Sequence, residues 1–124
     1  MATELHGFSW NVAILAETEI DRFFEDFSTD FYWDFMCIQE FCTSRPDGLQ
    51  IRNNNLVIIG GNVDRKCPAL VIHRRWIPYI CNISGNHGIS SADLRIPGNR
   101  TIRLASVHVD PRVRSANDFE EESF

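Results

Sequence analysis

The sequence lacks the features that mark several classes of protein. No apolar run approaches the roughly 18 residues of a membrane span, and the segment Met1–His6 carries no basic stretch of the kind that opens a secretory signal. None of the four cysteines forms a CxxC pair or stands at zinc-finger spacing from a histidine. These absences predict an intracellular protein, nuclear or cytoplasmic, with reduced thiols and no membrane partner.

Positive charge is also scarce. The chain has 12 basic and 17 acidic residues, for a net charge of -5. A wholly basic nucleic-acid-coating protein is therefore excluded, although a local basic patch is not, and Arg74-Arg75-Trp76 is either such a patch or a polar hairpin edge. The hydrophobic share of 44% and the length of 124 residues are those of one globular domain. The oligomeric state stays open.

Hydrophobic periodicity predicts the first elements. The segment Leu5–Leu15 is aromatic and β-branched and predicts a buried strand that ends near Val12. Apolar residues then recur at three- and four-residue steps from Glu17 to Phe27, which predicts an amphipathic helix with Thr18 as its N-cap. Phe35–Phe41 predicts a second strand. Strand, helix and strand at this spacing indicate sheet strands packed under a helix.

Short strands dominate the rest of the chain. Residues 44–48 (SRPDG) have a turn signature, and Gly- and Asn-rich clusters separate the apolar runs that follow. The pattern predicts a β-meander with hairpin loops at those clusters. Its predicted strands are Leu56–Ile59, Ala69–Ile72, Ile77–Ile83, Ala92–Ile96 and Ile102–Val109. In the last of them Ile102, Leu104, Ser106 and His108 share one face.

Three polar residues stand near strand ends where apolar residues are expected: Asn11, Glu40 and His108. If the first two strands are parallel, Asn11 and Glu40 meet at one edge of the sheet, where open α/β sheets place ligands. A carboxylate beside an amide suits Mg²⁺, and a histidine can hold or protonate a phosphate oxygen. The alternative interpretations are a strand-terminal asparagine, a solvated glutamate and a half-buried strand histidine.

Three segments in this order resemble the endonuclease/exonuclease/phosphatase superfamily: Ser9-Trp10-Asn11-Val12, residues 34–40 (DFMCIQE) and residues 106–111 (SVHVDP). Residues 68–72 (PALVI) resemble the strand that follows the second motif in that family. The superfamily includes abasic-site endonucleases, inositol-polyphosphate phosphatases and LINE-type retrotransposon endonucleases. The resemblance covers roughly residues 6 to 118.

The resemblance implies an α+β chain that forms part of a four-layer α/β sandwich, with a mixed β-sheet and one clear N-terminal helix. It further implies that Glu40 binds Mg²⁺ or Mn²⁺, that Asn11 helps to organise the catalytic site, and that His108 contacts the scissile phosphate. DNA is the implied substrate.

The sequence departs from the family pattern in two places. The family's GDFN and SDH words, which supply the water-orienting pair and the general base, do not occur after His108, and Ala13 stands where some members have an acid. Residues 1–124 are therefore expected to be the N-terminal portion of one such domain, weakly active or inactive alone. The alternatives are a non-catalytic relic or interaction module, and an inositol or lipid phosphatase-like domain.

Overall fold

The computed structural model describes residues 4–12, 16–42, 47–61, 66–86 and 88–107. Strands make up most of this part of the chain, and they form two sheets beside one main helix. The predicted mixture of helix and sheet with a clear N-terminal helix is thus confirmed. Among the helices in the described ranges, none has the length and apolar character needed to cross a bilayer.

A five-stranded sheet in the order β1-β2-β5-β4-β3 and a three-stranded sheet in the order β6-β7-β8 lie on one another. The β1–β2 pair is parallel, which is the condition for Asn11 and Glu40 to meet at one edge of the sheet. The other pairs are antiparallel. The elements are β1 (Gly7–Asn11), α1 (Glu17–Asp30), β2 (Phe35–Cys42), β3 (Asp47–Arg52), β4 (Asn55–Gly60), β5 (Lys66–Ile72), a 3-10 helix (Arg74–Tyr79), β6 (Ile80–Asn86), β7 (Ile89–Ile96) and β8 (Arg100–Val107).

The helix α1 forms where the three- and four-residue apolar spacing predicts it and continues one turn further, to Asp30. Its N-cap is Ala16 and not Thr18, because the Glu19 carboxylate accepts a hydrogen bond of 3.0 Å from the Ala16 N–H. Ile20 and Phe24, on the face of α1 that packs on the sheet, are fully buried. The amphipathic pattern therefore fixes which face of α1 packs on the sheet.

Two separate apolar layers result from the alternation of side chains along the central strands. The helix-side core lies between α1 and the five-stranded sheet, and its large, fully buried side chains include Phe24, Trp33, Met36, Ile38 and Phe41. The inter-sheet core lies between the two sheets and contains Leu56, Ile58, Leu70, Ile72, Ala92, Leu94, Ile96 and Leu104. Helix, sheet and sheet thus form three successive layers.

The strand β1 is not the buried strand that its aromatic composition predicts. It is an edge strand, and Trp10 is 38% exposed. Phe8 and Trp10 turn towards α1, where their rings meet the Phe27 ring at centroid distances of 4.9 and 5.5 Å. These aromatic contacts cover one face of β1. Within the described residues only β2 pairs with β1, so the other edge of β1 has no strand partner there.

Two further elements differ from the sequence prediction. The segment Asp47–Arg52, part of which carries a turn signature, is the edge strand β3. The predicted strand Ile77–Ile83 begins instead within the 3-10 helix, and extended structure starts only at Ile80. Pro78 lies inside that helix and has no N–H to donate to a sheet, which explains why the strand starts after it.

Candidate functional site

The parallel pairing of β1 and β2 brings Asn11 and Glu40 to the same end of the five-stranded sheet. Asn11 is the register partner of Gln39, the residue before Glu40. The backbone continues the pairing for one more step, since the Val12 N–H donates to the Gln39 carbonyl at 3.1 Å. Of the three residues predicted to form a site, these two are therefore brought together at the carboxyl ends of their strands.

A β-bulge shapes the end of β2. Ile38 pairs with Ala69 and Phe41 pairs with Cys67, so two residues of β2, Gln39 and Glu40, stand opposite Pro68 alone. A proline inside a central strand cannot donate a ladder hydrogen bond, and bulges are among the few places where a sheet accepts one. The bulge thus accommodates Pro68 within the sheet.

Glu40 has an unusual backbone conformation at this bulge, with φ of 57°. This is the left-handed region, which costs a non-glycine residue about 1–2 kcal/mol. Ile38 and Phe41 both belong to the helix-side core, so the bulge leaves Gln39 and Glu40 outside that core. Strained residues of this kind persist where the surrounding structure holds them, and they cluster at functional sites.

The bulge is held from the β1 side by Gln39. Its side-chain amide Nε2 donates to the Ser9 hydroxyl at 3.1 Å and to the Cys37 carbonyl at 3.2 Å. These contacts tie the end of β2 to β1 just before Asn11. They fix the backbone from which the Glu40 side chain projects.

The end of β8 reaches the same region from the second sheet. The Ser106 hydroxyl donates to the Ile38 carbonyl at 3.2 Å, and the Cys37 thiol donates to the Ala105 carbonyl at 3.4 Å. Burial raises the pKa of the Cys37 thiol, which keeps it protonated. These contacts bring the end of β8 beside the part of β2 that lies two to three residues before Glu40. His108, the third predicted site residue, lies outside the described residues.

The described part of β8 has the predicted alternation. Leu104 and Ser106 are buried, whereas Arg103, Ala105 and Val107 are exposed. Ser106 pairs in register with Ser90 on β7, and the Ser90 hydroxyl is fully buried without a hydrogen-bond partner in the described structure. The inter-sheet layer is therefore apolar along most of its length and polar at the end where Ser106 contacts Ile38, two residues before Glu40.

The residues at this end can be tested against the divalent metal that the sequence pattern implies. Within the described ranges, no three His, Cys, Asp or Glu side chains lie close enough together to share a metal ion. Glu40 and Asn11 offer one carboxylate and one amide oxygen, which fits Mg²⁺, an ion that takes one or two carboxylates and keeps several waters. The donor set does not fit zinc, which needs three or four protein ligands.

A second polar cluster lies at the opposite end of β2, and no sequence pattern predicts it. The carboxylate of Asp34 is buried and accepts hydrogen bonds from the Arg75 guanidinium, from Trp76 Nε1 at 2.7 Å and from the His6 N–H at 2.7 Å. Burial by itself would raise the pKa of Asp34, but the bonds from Trp76, His6 and Arg75 outweigh it and lower the pKa below its ordinary value.

His73 belongs to this cluster and caps the 3-10 helix. Its Nδ1 atom accepts from the Arg75 N–H at 3.3 Å, which requires the neutral ring form with Nε2 protonated. Burial, followed by the charges of Arg75 and Arg74, lowers the pKa of His73 to about 4. The Arg74-Arg75-Trp76 segment opens the 3-10 helix and is not a hairpin edge. Arg75 is bound to Asp34, whereas Arg74 is exposed.

Comparison of the chain with protein-family models, with curated proteins and with solved structures finds no match.

Proposed function

We propose that this chain is part of a metal-dependent phosphodiesterase domain of the endonuclease/exonuclease/phosphatase type, acting on DNA. The observation that carries the proposal is the left-handed backbone of Glu40 at a bulge beside the end of β1. Glu40 is a strained, partly exposed carboxylate at the strand end where the resemblance implies a metal ligand. The bulge accommodates Pro68, and a left-handed glutamate at its partly exposed end is the kind of strained residue that clusters at functional sites.

The layered architecture is in keeping with the proposed domain type. One helix, a mixed five-stranded sheet and a three-stranded sheet follow one another across the molecule. This order corresponds to part of a four-layer α/β sandwich, in which a further helix layer would cover the outer face of the second sheet. The sequence motifs, together with this order of layers, support a domain of the endonuclease/exonuclease/phosphatase type.

The roles of the residues follow from their chemistry. Glu40 is proposed to bind Mg²⁺ or Mn²⁺ through its carboxylate, and Asn11 to orient the phosphate or a metal-bound water through its amide. His108 is proposed to hold a phosphate oxygen. A bound divalent ion would neutralise charge that develops on the phosphate during hydrolysis. The predicted general base and water-orienting pair are not among these residues, so turnover by this chain is expected to be weak or absent.

Metal binding is the sharpest test, because it does not require turnover. Thermal unfolding of the full chain is measured with and without millimolar Mg²⁺, for the unsubstituted protein, for Glu40→Gln and for the control Glu25→Gln. Glu25 is an exposed carboxylate on α1, so its removal leaves the proposed site intact. We expect Mg²⁺ to raise Tm for the unsubstituted protein and the control but not for Glu40→Gln. An equal rise in all three proteins overturns the metal role of Glu40.

Substrate class is tested by binding and cleavage of a DNA duplex and of an inositol phosphate in the same buffer. A response to DNA that depends on Glu40 supports the nuclease proposal, and a response confined to the inositol phosphate supports the phosphatase-like alternative. The non-catalytic alternative is favoured by the single acidic ligand that the described site residues provide. This alternative predicts that Mg²⁺ does not raise Tm and that the protein tolerates substitution of Glu40.

A further inference from the structure

A second candidate binding site lies at the end of the sandwich opposite Glu40. It is a cleft of about 420 Å³ between the 3-10 helix and the end of β7, a size within the range of small-molecule sites. Its lining consists of Arg75, Trp76, Tyr79, Arg95, Ile96 and Pro97. Two aromatic, two basic and two apolar residues thus line one cavity, and none of these described lining residues is acidic.

The aromatic wall of the cleft is held in place. Trp76 Nε1 donates to the buried Asp34 carboxylate at 2.7 Å, so the indole cannot rotate without breaking that bond. The Tyr79 ring meets the Trp76 ring edge to face, at a centroid distance of 5.8 Å. Tyr79 is 52% exposed. A rigid indole next to an accessible phenol presents apolar ring surface against which a planar ligand can pack.

The charge of the cleft resides on Arg95. The other arginine, Arg75, is neutralised by Asp34, since its Nη2 lies 2.8 Å from the Asp34 carboxylate. Arg95 is exposed and forms no ion pair within the described part of the chain. Among the described residues, the cleft therefore offers one positive charge without an acidic partner beside aromatic surface, which complements a planar ring that carries an anionic group.

We propose that this cleft binds a free mononucleotide, with its base against Trp76 and Tyr79 and its phosphate on Arg95. A mononucleotide combines the ring and the anionic group in one molecule of the right size. At about 3.3 Å per residue, β2 separates Asp34 from Glu40 by about 20 Å. The cleft is thus distinct from the end where phosphodiester hydrolysis is proposed, and the inference does not depend on that function.

Calorimetric titration of the full chain with adenosine 5′-monophosphate tests the proposal, and adenosine and inorganic phosphate serve as the two half-ligands. We expect saturable binding of the nucleotide and much weaker binding of either half. Arg95→Gln is expected to weaken nucleotide affinity about tenfold, and Tyr79→Ala several-fold. Both residues are exposed, so the variants are expected to fold. The indole N–H resonance of Trp76 should shift during the titration.

Two control variants show whether nucleotide binding is confined to this cleft. Arg22→Gln removes an exposed arginine on α1 that pairs with Asp26, and Glu40→Gln alters the proposed metal ligand; both should bind the nucleotide as the unsubstituted protein does. Three results would overturn the proposal: no saturation at millimolar nucleotide, equal affinity for adenosine and the nucleotide, or unchanged affinity in Arg95→Gln. Binding of a DNA trinucleotide with higher affinity than the mononucleotide would assign the cleft to nucleic acid instead.

Discussion

Two N–H groups of Arg75, Nε and Nη2, donate to the same oxygen of Asp34, at 3.2 and 2.8 Å. That oxygen also accepts from Trp76, and the other carboxylate oxygen accepts from the His6 N–H at the start of β1. One buried carboxylate therefore joins the beginning of the five-stranded sheet to the 3-10 helix. Arg75 and Trp76 lie 41 and 42 positions after Asp34 in the chain, so these contacts close a long loop.

Removal of this carboxylate is predicted to be strongly destabilising. Asp34→Ala leaves the donors of Arg75, Trp76 and His6 without their acceptor, and we expect a loss of about 3 kcal/mol in the free energy of unfolding. The control is Asp26→Ala, which breaks the exposed Arg22–Asp26 pair on α1 and should cost at most about 0.5 kcal/mol. Urea denaturation of both variants gives the comparison. Similar losses in the two would show that Asp34 is not a structural centre.

The lowered pKa of His73 predicts a loss of stability on mild acidification. The ordinary pKa is 6.5 and the folded value is about 4. Between these values the unfolded chain takes up a proton that the folded chain does not, so the free energy of unfolding falls as pH drops from about 6.5 to about 4. The lowered pKa of Asp34 adds a further loss only at still lower pH.

His73→Asn tests this assignment, because asparagine keeps a side-chain acceptor for the N-cap bond to Arg75 but does not titrate. We expect the variant to show a flatter stability profile between pH 6.5 and pH 4 than the unsubstituted protein. Denaturant midpoints at several pH values provide the measurement. A profile of unchanged slope would assign the acid sensitivity to other groups.

The backbone strain at Glu40 predicts an unusual order of stabilities. Glu40→Gly relieves the left-handed conformation and should exceed Glu40→Ala in stability by about 1 kcal/mol. The neighbouring Gln39, whose backbone does not adopt a positive φ, should show the opposite order, with the glycine variant less stable than the alanine variant by about 0.5–1 kcal/mol. If glycine destabilises at both positions, Glu40 carries no strain.

The two serines at the polar end of the inter-sheet layer should respond differently to alanine. Ser106→Ala loses the hydrogen bond to the Ile38 carbonyl and should cost about 1 kcal/mol. Ser90→Ala removes a buried hydroxyl that has no partner in the described structure, so it should be neutral or slightly stabilising. Thermal unfolding distinguishes the pair. A substantial loss in Ser90→Ala would reveal a bound water or ligand on that hydroxyl.

Local periodicity predicts the elements that are amphipathic over several residues. The spacing of Ile20, Phe23, Phe24 and Phe27 is sufficient for α1, and alternation is sufficient for the described faces of β8. The edge strand β3 has only a short alternation, at Leu49 and Ile51, and it opens with a sequence typical of turns. Leu49 and Ile51 are 54% and 63% exposed, so the two form no buried face that would stabilise the strand. Its extended conformation depends on pairing with β4, which is a tertiary contact.

The two polar regions of the structure, the Asn11–Glu40 end of the sheet and the Asp34 cluster, also differ in how far the sequence predicts them. The sequence predicts the proximity of Asn11 and Glu40 only on the condition that β1 and β2 are parallel, and the structure meets that condition. The bulge is not predicted, although Pro68 within an otherwise strand-like run is a signal for it. Asp34 has no local signature, since its partners Arg75 and Trp76 are 41 and 42 positions away. Such a cluster becomes visible only when the sheet order is known.

The contact between Ser106 and Ile38 has a consequence for the order of folding. These residues are 68 positions apart, whereas β6, β7 and β8 follow one another through short connections. Local hairpins close quickly, and distant contacts must first overcome the entropy of a long loop. We therefore expect the three-stranded sheet to form early and to dock on the five-stranded sheet late. The polar end beside Glu40 would then be among the last parts of the chain to assemble.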